Sequence, residues 1–214
     1  MYKVDLHTHS VTSPDGGLRL RHYEAMLQAG GLDAIAVTDH NTIAFAQKLQ
    51  DQLGGRIIVG EEITTASGEI IGLFLKHPVA AGLTLKQAVH AIRQQQGLVY
   101  IPHPFETVRK GLTLTALNSI ADQVDIIELY NGRAVFQNKT DDAIHWATMH
   151  QTAGTASSDA HGWHGWGRTY SEIDALPNRD TLVRLLERAS HISGTVGLRG
   201  LLYPKIHRLR KVGR

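Results

Sequence analysis

Histidine is over-supplied in this chain: 13 of 214 residues, against four Phe and three Trp. It is the commonest metal ligand and a frequent proton-transfer group, so position decides what these residues are for. Five of them sit in short clusters, four of the five with a carboxylate close by in sequence. These are Asp5-Leu6-His7-Thr8-His9 followed by Ser13-Pro14-Asp15-Gly16, Thr38-Asp39-His40-Asn41, Ile101-Pro102-His103-Pro104 and Ser157-Ser158-Asp159-Ala160-His161. Gly60-Glu61-Glu62 and Glu128-Leu129-Tyr130-Asn131 are similar clusters without histidine. In an extended chain the period of two puts His7 and His9 on one side, as a chelating pair requires. Asp159-Ala160-His161 repeats that spacing with mixed donors. By contrast His22, His77, His90, His145, His150, His191 and His207 lie in helix or loop segments without such neighbours.

Nitrogen and oxygen donors without sulfur suit Zn, Mn or Fe, and imidazole disfavours Mg alone. A catalytic zinc takes three protein ligands and keeps one position open. His7, His9, Asp15, His40, Glu62, His103, Asp159 and His161 are too many donors for one ion. Two or three divalent ions fit, with Glu62 as a bridge. An anionic ligand held beside them needs further cations, and Arg pairs with oxyanions through a planar fork. Arg133 and Arg168 are candidates, each equally readable as a surface arginine, and His164 is a candidate for binding or protonating a leaving group. Trp163 and Trp166 either stack a base or ribose or pin their glycine-rich loop to the body. Asp39 either orients a ligand or caps the following helix.

Each cluster follows a short β-like run. The runs are Tyr2–Leu6, Ala34–Val37, Ile57–Val59, Ile70–Leu75, Leu98–Ile101, Asp125–Leu129 and Thr155–Ser157, rich in Val and Ile and bounded by Gly or polar turns. Helix-length segments alternate with them: Leu18–Ala29, Thr42–Leu53, Leu85–Gln95 after the N-cap Thr84, Leu114–Ile120, Asn138–His150 and Arg179–Ser190. Strand-then-helix alternation predicts a parallel sheet covered by helices. Its C-terminal strand ends meet on one face, where α/β active sites form. No Gly-rich phosphate loop follows any strand, which argues against a nucleotide-binding Rossmann or P-loop site.

A hydrophobic fraction of 42% and a charged fraction of 20% are those of an ordinary globular protein. The absence of Cys excludes disulfides and thiolate metal sites. No apolar run has the length of a membrane span, and Asp5 and His7 interrupt any N-terminal signal, so the expectation is a cytoplasmic protein without a membrane partner. The net charge is +2. Residues 197–214 hold six basic residues and no acid, which leaves −4 on the rest. The sequence therefore divides into a body, 1–196, and a basic C-terminal tail, 197–214, read as a solvated end.

The motifs D-L-H-T-H-S with S-P-D-G, V-T-D-H-N, G-E-E-I-T-T, I-P-H-P-F, D-I-I-E-L-Y-N-G-R and S-S-D-A-H run in order over about residues 3–175. Together they resemble the polymerase and histidinol phosphatase (PHP) family, in particular its small single-domain phosphoesterases. The resemblance implies an α/β fold, a distorted (β/α)7 TIM-like barrel. It implies a centre of two or three divalent ions (Mn, Zn or Fe) that hydrolyses phosphate mono- or diesters through a metal-bound hydroxide. Carried over by motif, His7, His9, Glu62 and Asp159 would hold the first ion, and Asp15, His40 and His161 the second. Glu62 and His103 would share the third. Where many relatives carry one more His, this chain places Glu69, an oxygen donor.

The expected partner is a small phosphorylated metabolite or a short nucleotide, with nucleic acid only as a short oligonucleotide; the oligomeric state is open. Three other readings stay open: an amidohydrolase-like hydrolase, a non-catalytic metal-holding accessory module, and a nuclease gripping its substrate with the tail. Against the first, no strand-end Lys bridge is evident.

Overall fold

The computed structural model describes residues 1–135 and 137–212. Nine strands form one sheet: β1 (Tyr2–Asp5), β2 (Ala34–Val37), β3 (Ile57–Thr65), β4 (Gly68–Leu73), β5 (Leu98–Ile101), β6 (Ile126–Asn131), β7 (Ala153–Ser157), β8 (Tyr170–Ile173) and β9 (Ser190–Ile192). Their order is β7-β6-β5-β4-β3-β2-β1-β8-β9. The α-helices are α1 (Leu20–Gln28), α2 (Ala44–Leu53), α3 (Leu85–Gln94), α4 (Leu114–Asn118), α5 (Thr140–His150), α6 (Leu182–Leu186) and α7 (Gly197–Val212). Thr84 caps α3 as its sequence predicts. Its hydroxyl accepts from the Gln87 N–H, and the Gln87 side chain accepts from the Thr84 N–H in return.

All seven expected strands are present, but the sheet is mixed rather than parallel. β1, β2 and β3 run parallel, as do β5, β6 and β7, while β4 is antiparallel to both of its neighbours. The reason is local. Only Ala66 and Ser67 separate β3 from β4, and a two-residue loop can join only antiparallel strands. Thr65 donates its hydroxyl to the Gly68 carbonyl across that turn, and Gly68 takes a φ of 133°. β3 also runs on through Glu62 to Thr65, so its carboxylates project from within a strand. β8 and β9, not anticipated from the sequence, add antiparallel strands beyond β1. The last expected helix shortens to Leu182–Leu186, with Ser190 passing into β9.

The sheet curls into a near-closed barrel whose seam is made largely by polar groups. Ser158 donates its N–H (3.0 Å) and hydroxyl (2.5 Å) to Asp5, and the His9 N–H donates to the Ala160 carbonyl at 2.8 Å. Farther along, the Ala156 N–H donates to the Ser171 hydroxyl at 2.9 Å. Alternate strand positions then divide in two. Val4, Ala34, Ala36, Ile58, Ile71, Leu73, Leu98, Tyr100 and Ile126 pack together, joined by Leu182 and Leu186 of α6. Ile35, Val37, Ile57, Val59, Val99, Ile101 and Ile127 pack with helix residues such as Met26, Leu49, Val89, Ile92 and Trp146. Burial of these aliphatic side chains is the main stabilising term. It fixes the strand ends that carry the polar clusters. No helix among the described residues is long and apolar enough to cross a membrane.

Candidate metal centre

Beyond Asp5 the chain stays extended for a few residues, and alternation sorts its side chains. His7 and His9 turn inward, while Thr8 donates its hydroxyl to the Ala36 carbonyl at 2.7 Å. Ser10 follows and is locked by Asp39, whose carboxylate accepts from the Ser10 N–H (2.6 Å) and hydroxyl (2.5 Å). Asp39 thus ties the end of β2 to the His-Thr-His segment. On β3 the same alternation separates two neighbouring acids. Glu62 faces the histidines, while Glu61 accepts from the Val79 N–H at 2.7 Å. Two donors come from strained backbone: His103 has φ 30° and Asp159 φ 51°. Such conformations cost of order 1–3 kcal/mol each and persist only where the surroundings over-determine them.

Three groups of donors result: His7, His9 and Asp159; His9, Asp15, His40 and His161; and His7, Glu62 and His103. Within each, the donor atoms lie within 4.8 Å of one another. Glu62 also approaches the group of His7, His9 and Asp159. The two imidazole Nε2 atoms are 3.1 Å apart. Glu62 Oε2 lies 3.5 Å from the first and 3.2 Å from the second, and Asp159 Oδ1 lies 3.7 and 3.5 Å from them. A tetrahedral ion with bonds of 2.0–2.1 Å has ligand edges of roughly 3.3 Å, so the group of His7, His9 and Asp159, with edges of 3.1, 3.5 and 3.7 Å, fits a divalent cation. A second set centres on Asp15 Oδ1, 3.5 Å from His161 Nε2 and 3.8 Å from His40 Nε2. Glu62 joins the sets: its Oε2 is 3.2 Å from His40 Nδ1 and its Oε1 2.9 Å from His103 Nε2. Glu69 Oε1 stands 3.9 Å from His40 Nδ1.

The electrostatics match a site built for cations. Burial raises the pKa of Glu62, but His40, His7 and the His103 hydrogen bond outweigh it and hold the carboxyl well below its usual range. Asp159 is likewise penalised by burial and pulled well below by Arg133 and His7. For His9, burial favours the neutral ring, yet hydrogen bonds to Asp159 and Glu62 lift it to about 9. His161 goes the other way, to about 3, through burial and the charges of His9 and Arg133. Protons and guanidinium groups here balance carboxylates that divalent ions would otherwise neutralise. Loading the site must therefore release protons.

A further layer of residues orients these donors. Glu128 accepts from His7 Nδ1 (3.2 Å), the Tyr100 hydroxyl (2.6 Å), the His103 N–H (2.6 Å) and Asn131 Nδ2 (2.7 Å). Such partners fix the tautomer and direction of a ligating imidazole. Arg109 grips Glu106 with Nε and Nη2 (2.9 and 2.5 Å) and sends Nη1 to Asp159 Oδ2 (2.7 Å) and Asn131 Oδ1 (2.5 Å). Above the donors opens a cavity of about 630 Å³, lined by Asp15, His40, Glu62, Glu69, His103, Asp159 and His161. The cations Arg109, Lys110, Arg133, Lys205 and Arg208 also line it.

Residues 5–153 match the PHP domain family. The chain belongs to that family. A curated relative, an uncharacterised protein of Methanocaldococcus jannaschii, is 33% identical over 184 residues, spanning 81% of this chain and 71% of its own. Among solved structures, a two-domain protein of Bacteroides vulgatus described as containing a predicted PHP-like metal-dependent phosphoesterase superposes with a TM-score of 0.69. It is 22% identical, over 97% of this chain and 69% of that one. PsfC of Pseudomonas syringae superposes with the same score at 17% identity, over 98% of both chains. Both share the distorted barrel. Together with the three donor groups, PHP membership makes this a metal-binding hydrolase fold.

The structure brings together all nine donors anticipated from the sequence: His7, His9, Asp15, His40, Glu62, Glu69, His103, Asp159 and His161. Arg133 is also at the cavity, with Nη1 3.4 Å from Asp159 Oδ1 and 3.2 Å from His161 Nδ1. Arg168 and His164 are not among the residues lining the cavity, and both are exposed. The reason is Trp166, which is buried and donates Nε1 to Asp5 Oδ2 at 3.0 Å. It pins the glycine-rich loop to the barrel seam, and Trp163 packs edge-on against it. Arg109 had no signal in the sequence. It sits in an irregular loop, 50 residues from the acid it holds. Residues 197–212 form a helix that lines the cavity, where the sequence reading expected a solvated end.

Proposed function

We propose that this PHP protein is a metal-dependent phosphoesterase, hydrolysing phosphate mono- or diesters of a small metabolite or short nucleotide. The observation that carries the reading is the set of nitrogen and oxygen donors 3.1–3.7 Å apart on the floor of a cation-lined cavity. His7, His9, Glu62 and Asp159 would hold one ion; Asp15, His40 and His161 a second; Glu62 and His103, with Glu69 nearby, a third. Divalent ions bound there supply Lewis acidity toward phosphoryl oxygens and acidify water near neutral pH. Glu62, reached by His7, His9, His40 and His103, is placed to bridge the sites.

The protein's own groups complete the chemistry. Arg133 Nε is buried without a hydrogen-bond partner among the described residues. That donor is available to a phosphoryl oxygen arriving beside Asp159. Glu128 and Arg109 hold His7 and Asp159 in direction, so the donors need little reorganisation when an ester binds. Glu62 and Asp159, kept ionised, are ready to ligate at neutral pH.

The test is elemental analysis of purified protein together with a panel of phosphate esters, including p-nitrophenyl phosphate, set against simple amides and lactones. Turnover of esters of phosphate, and loss of both turnover and bound metal in His7→Ala, is the expected result. Hydrolysis of amides or lactones alone, or full activity in His7→Ala, overturns it.

A further inference from the structure

The basic C-terminal segment is the sequence feature that the metal chemistry leaves unused. In the structure it is α7, and it lies beyond residue 153, where the family match ends. Its seat is made of two loops that carry donors of the second group. A Cβ at Gly17 would overlap the Tyr203 ring, and one at Gly162 would crowd it, so the absence of side chains there makes room for Tyr203. Gly17 stands two residues after Asp15, and Gly162 directly after His161. The Gly17 N–H donates to the His161 carbonyl at 2.8 Å, so the two loops are also bonded to each other. The Asp15 loop has no slack on its other side, because a Cβ at Gly16 would overlap the Ser10 carbonyl.

The two oxygens of Asp15 face different ways. Oδ1 accepts from the Ser13 hydroxyl at 3.1 Å and faces His161 Nε2 at 3.5 Å and His40 Nε2 at 3.8 Å. Oδ2 accepts from Arg208 Nη2 at 2.9 Å, its one hydrogen-bond partner among the described residues. Asp159 is arranged in the same way. Its Oδ1 faces His7 and His9, while its Oδ2 accepts from Arg109 at 2.7 Å. Arg208 therefore grips Asp15 without taking the oxygen that faces the other donors.

We infer that Arg208 is a positioning residue for the second ion, holding Asp15 Oδ2 so that Oδ1 stays aimed at His161 and His40, and that it couples occupancy of this site to docking of α7. The inference rests on the ion assignment in the reading above and not on which ester is cleaved. Magnitude separates this role from a structural one. The Arg208 side chain is 63% exposed, and an exposed ion pair contributes little to stability. The outer partner of a ligating group instead changes metal affinity about 10–100-fold. Sign separates it from plain charge. Removing a cation near an ion site strengthens binding by Coulomb's law, whereas removing an orienting partner weakens it. Coupling of this kind is reciprocal, so the ion favours the docked helix by the same factor.

Equilibrium dialysis of the full chain against Mn²⁺, with bound metal read by elemental analysis, tests this without any substrate, so a lack of ester turnover leaves the inference standing. The parent is expected to bind two or more ions. Arg208→Gln should weaken one of them about 10–100-fold and melt within about 4 °C of the parent in EDTA. Arg208→Lys, which keeps a charged donor, should restore most of the affinity. Lys205→Gln removes the same charge from the cavity-lining face of α7 but not the partner of Asp15, and should weaken no ion. Mn²⁺ should slow amide exchange across 197–212 in the parent, and much less in Arg208→Gln. The inference is overturned if Arg208→Gln binds Mn²⁺ as tightly as the parent or more tightly, if Lys205→Gln loses as much affinity, or if Mn²⁺ leaves exchange in α7 unchanged. A parent chain that holds a single ion overturns it too.

Discussion

Arg109 offers the sharpest test of how this centre is held, because it touches two acids and sits where no sequence pattern marked it. Its guanidinium is largely buried, with 13% of the side chain exposed, and it bonds Glu106 through two nitrogens and Asp159 through a third. Arg109→Met keeps the aliphatic volume and removes the charge. Glu106 is then left buried without its cation, and Asp159 loses the bond that fixes one of its oxygens. Removing one partner of a buried ion pair costs about 3–5 kcal/mol. The adjoining cavity admits water, so the lower end applies, about 3 kcal/mol. For a domain of this size each kcal/mol moves the Tm by about 2–4 °C, so the metal-free protein should melt roughly 6–12 °C lower. Circular dichroism melts in EDTA measure this.

The second arm is Arg109→Met/Glu106→Gln. Replacing the stranded carboxylate by a neutral amide should recover at least about 1 kcal/mol relative to Arg109→Met, since much of the single-variant cost is an uncompensated charge. Mn²⁺ affinity should fall about 10–100-fold in both, because Asp159 has lost its orienting partner. The reasoning is refuted if Arg109→Met melts within about 0.5 kcal/mol of the parent, or if the double variant is no more stable than the single.

Glu69 gives a pH dependence of known sign. Burial and the charge of Glu62 lift its pKa to about 8 from an ordinary 4.5. Between those values the folded protein keeps a proton that the unfolded chain releases, so this group's contribution to stability is full below about pH 4.5 and is lost as pH rises to 8. Glu69→Gln should therefore gain stability over the parent as metal-free samples are taken from pH 5 to pH 8 in urea titrations; equal shifts at both values would contradict the assignment. At Gly17, a Cβ would meet the Tyr203 ring, so Gly17→Ala should undock α7 and raise amide exchange across 197–212. Unchanged protection there would show that the helix is held by something else.

Family, fold class and the convergence of the His, Asp and Glu side chains into donor groups were legible in the sequence, and for a physical reason. Most of the donors follow a short apolar run, and parallel strands collect their ends on one face, so local order along the chain predicts convergence in space; Glu69, at the start of the antiparallel β4, is the exception. The His7-Thr8-His9 spacing works because an extended backbone alternates sides whatever its neighbours do. Thr84 and Gln87 are equally local, and their capping of α3 follows from two side chains and four residues.

What only the tertiary structure decided are relations between segments that carry no shared pattern. The barrel seam depends on Ser158 meeting Asp5 across most of the chain, and the strand β8 is held to β1 by backbone groups that any sequence possesses. Arg109 reaches Asp159 from a loop without periodicity. The tail has the composition of a solvated end, yet Tyr203 finds the space beside Gly17 and Gly162 and turns it into a wall of the cavity. Trp166, bonded to Asp5, carries Arg168 and His164 away from the site that their position in the chain suggested. Propensity and spacing act over a few residues, whereas shape and charge complementarity between distant surfaces exist only once the chain has folded.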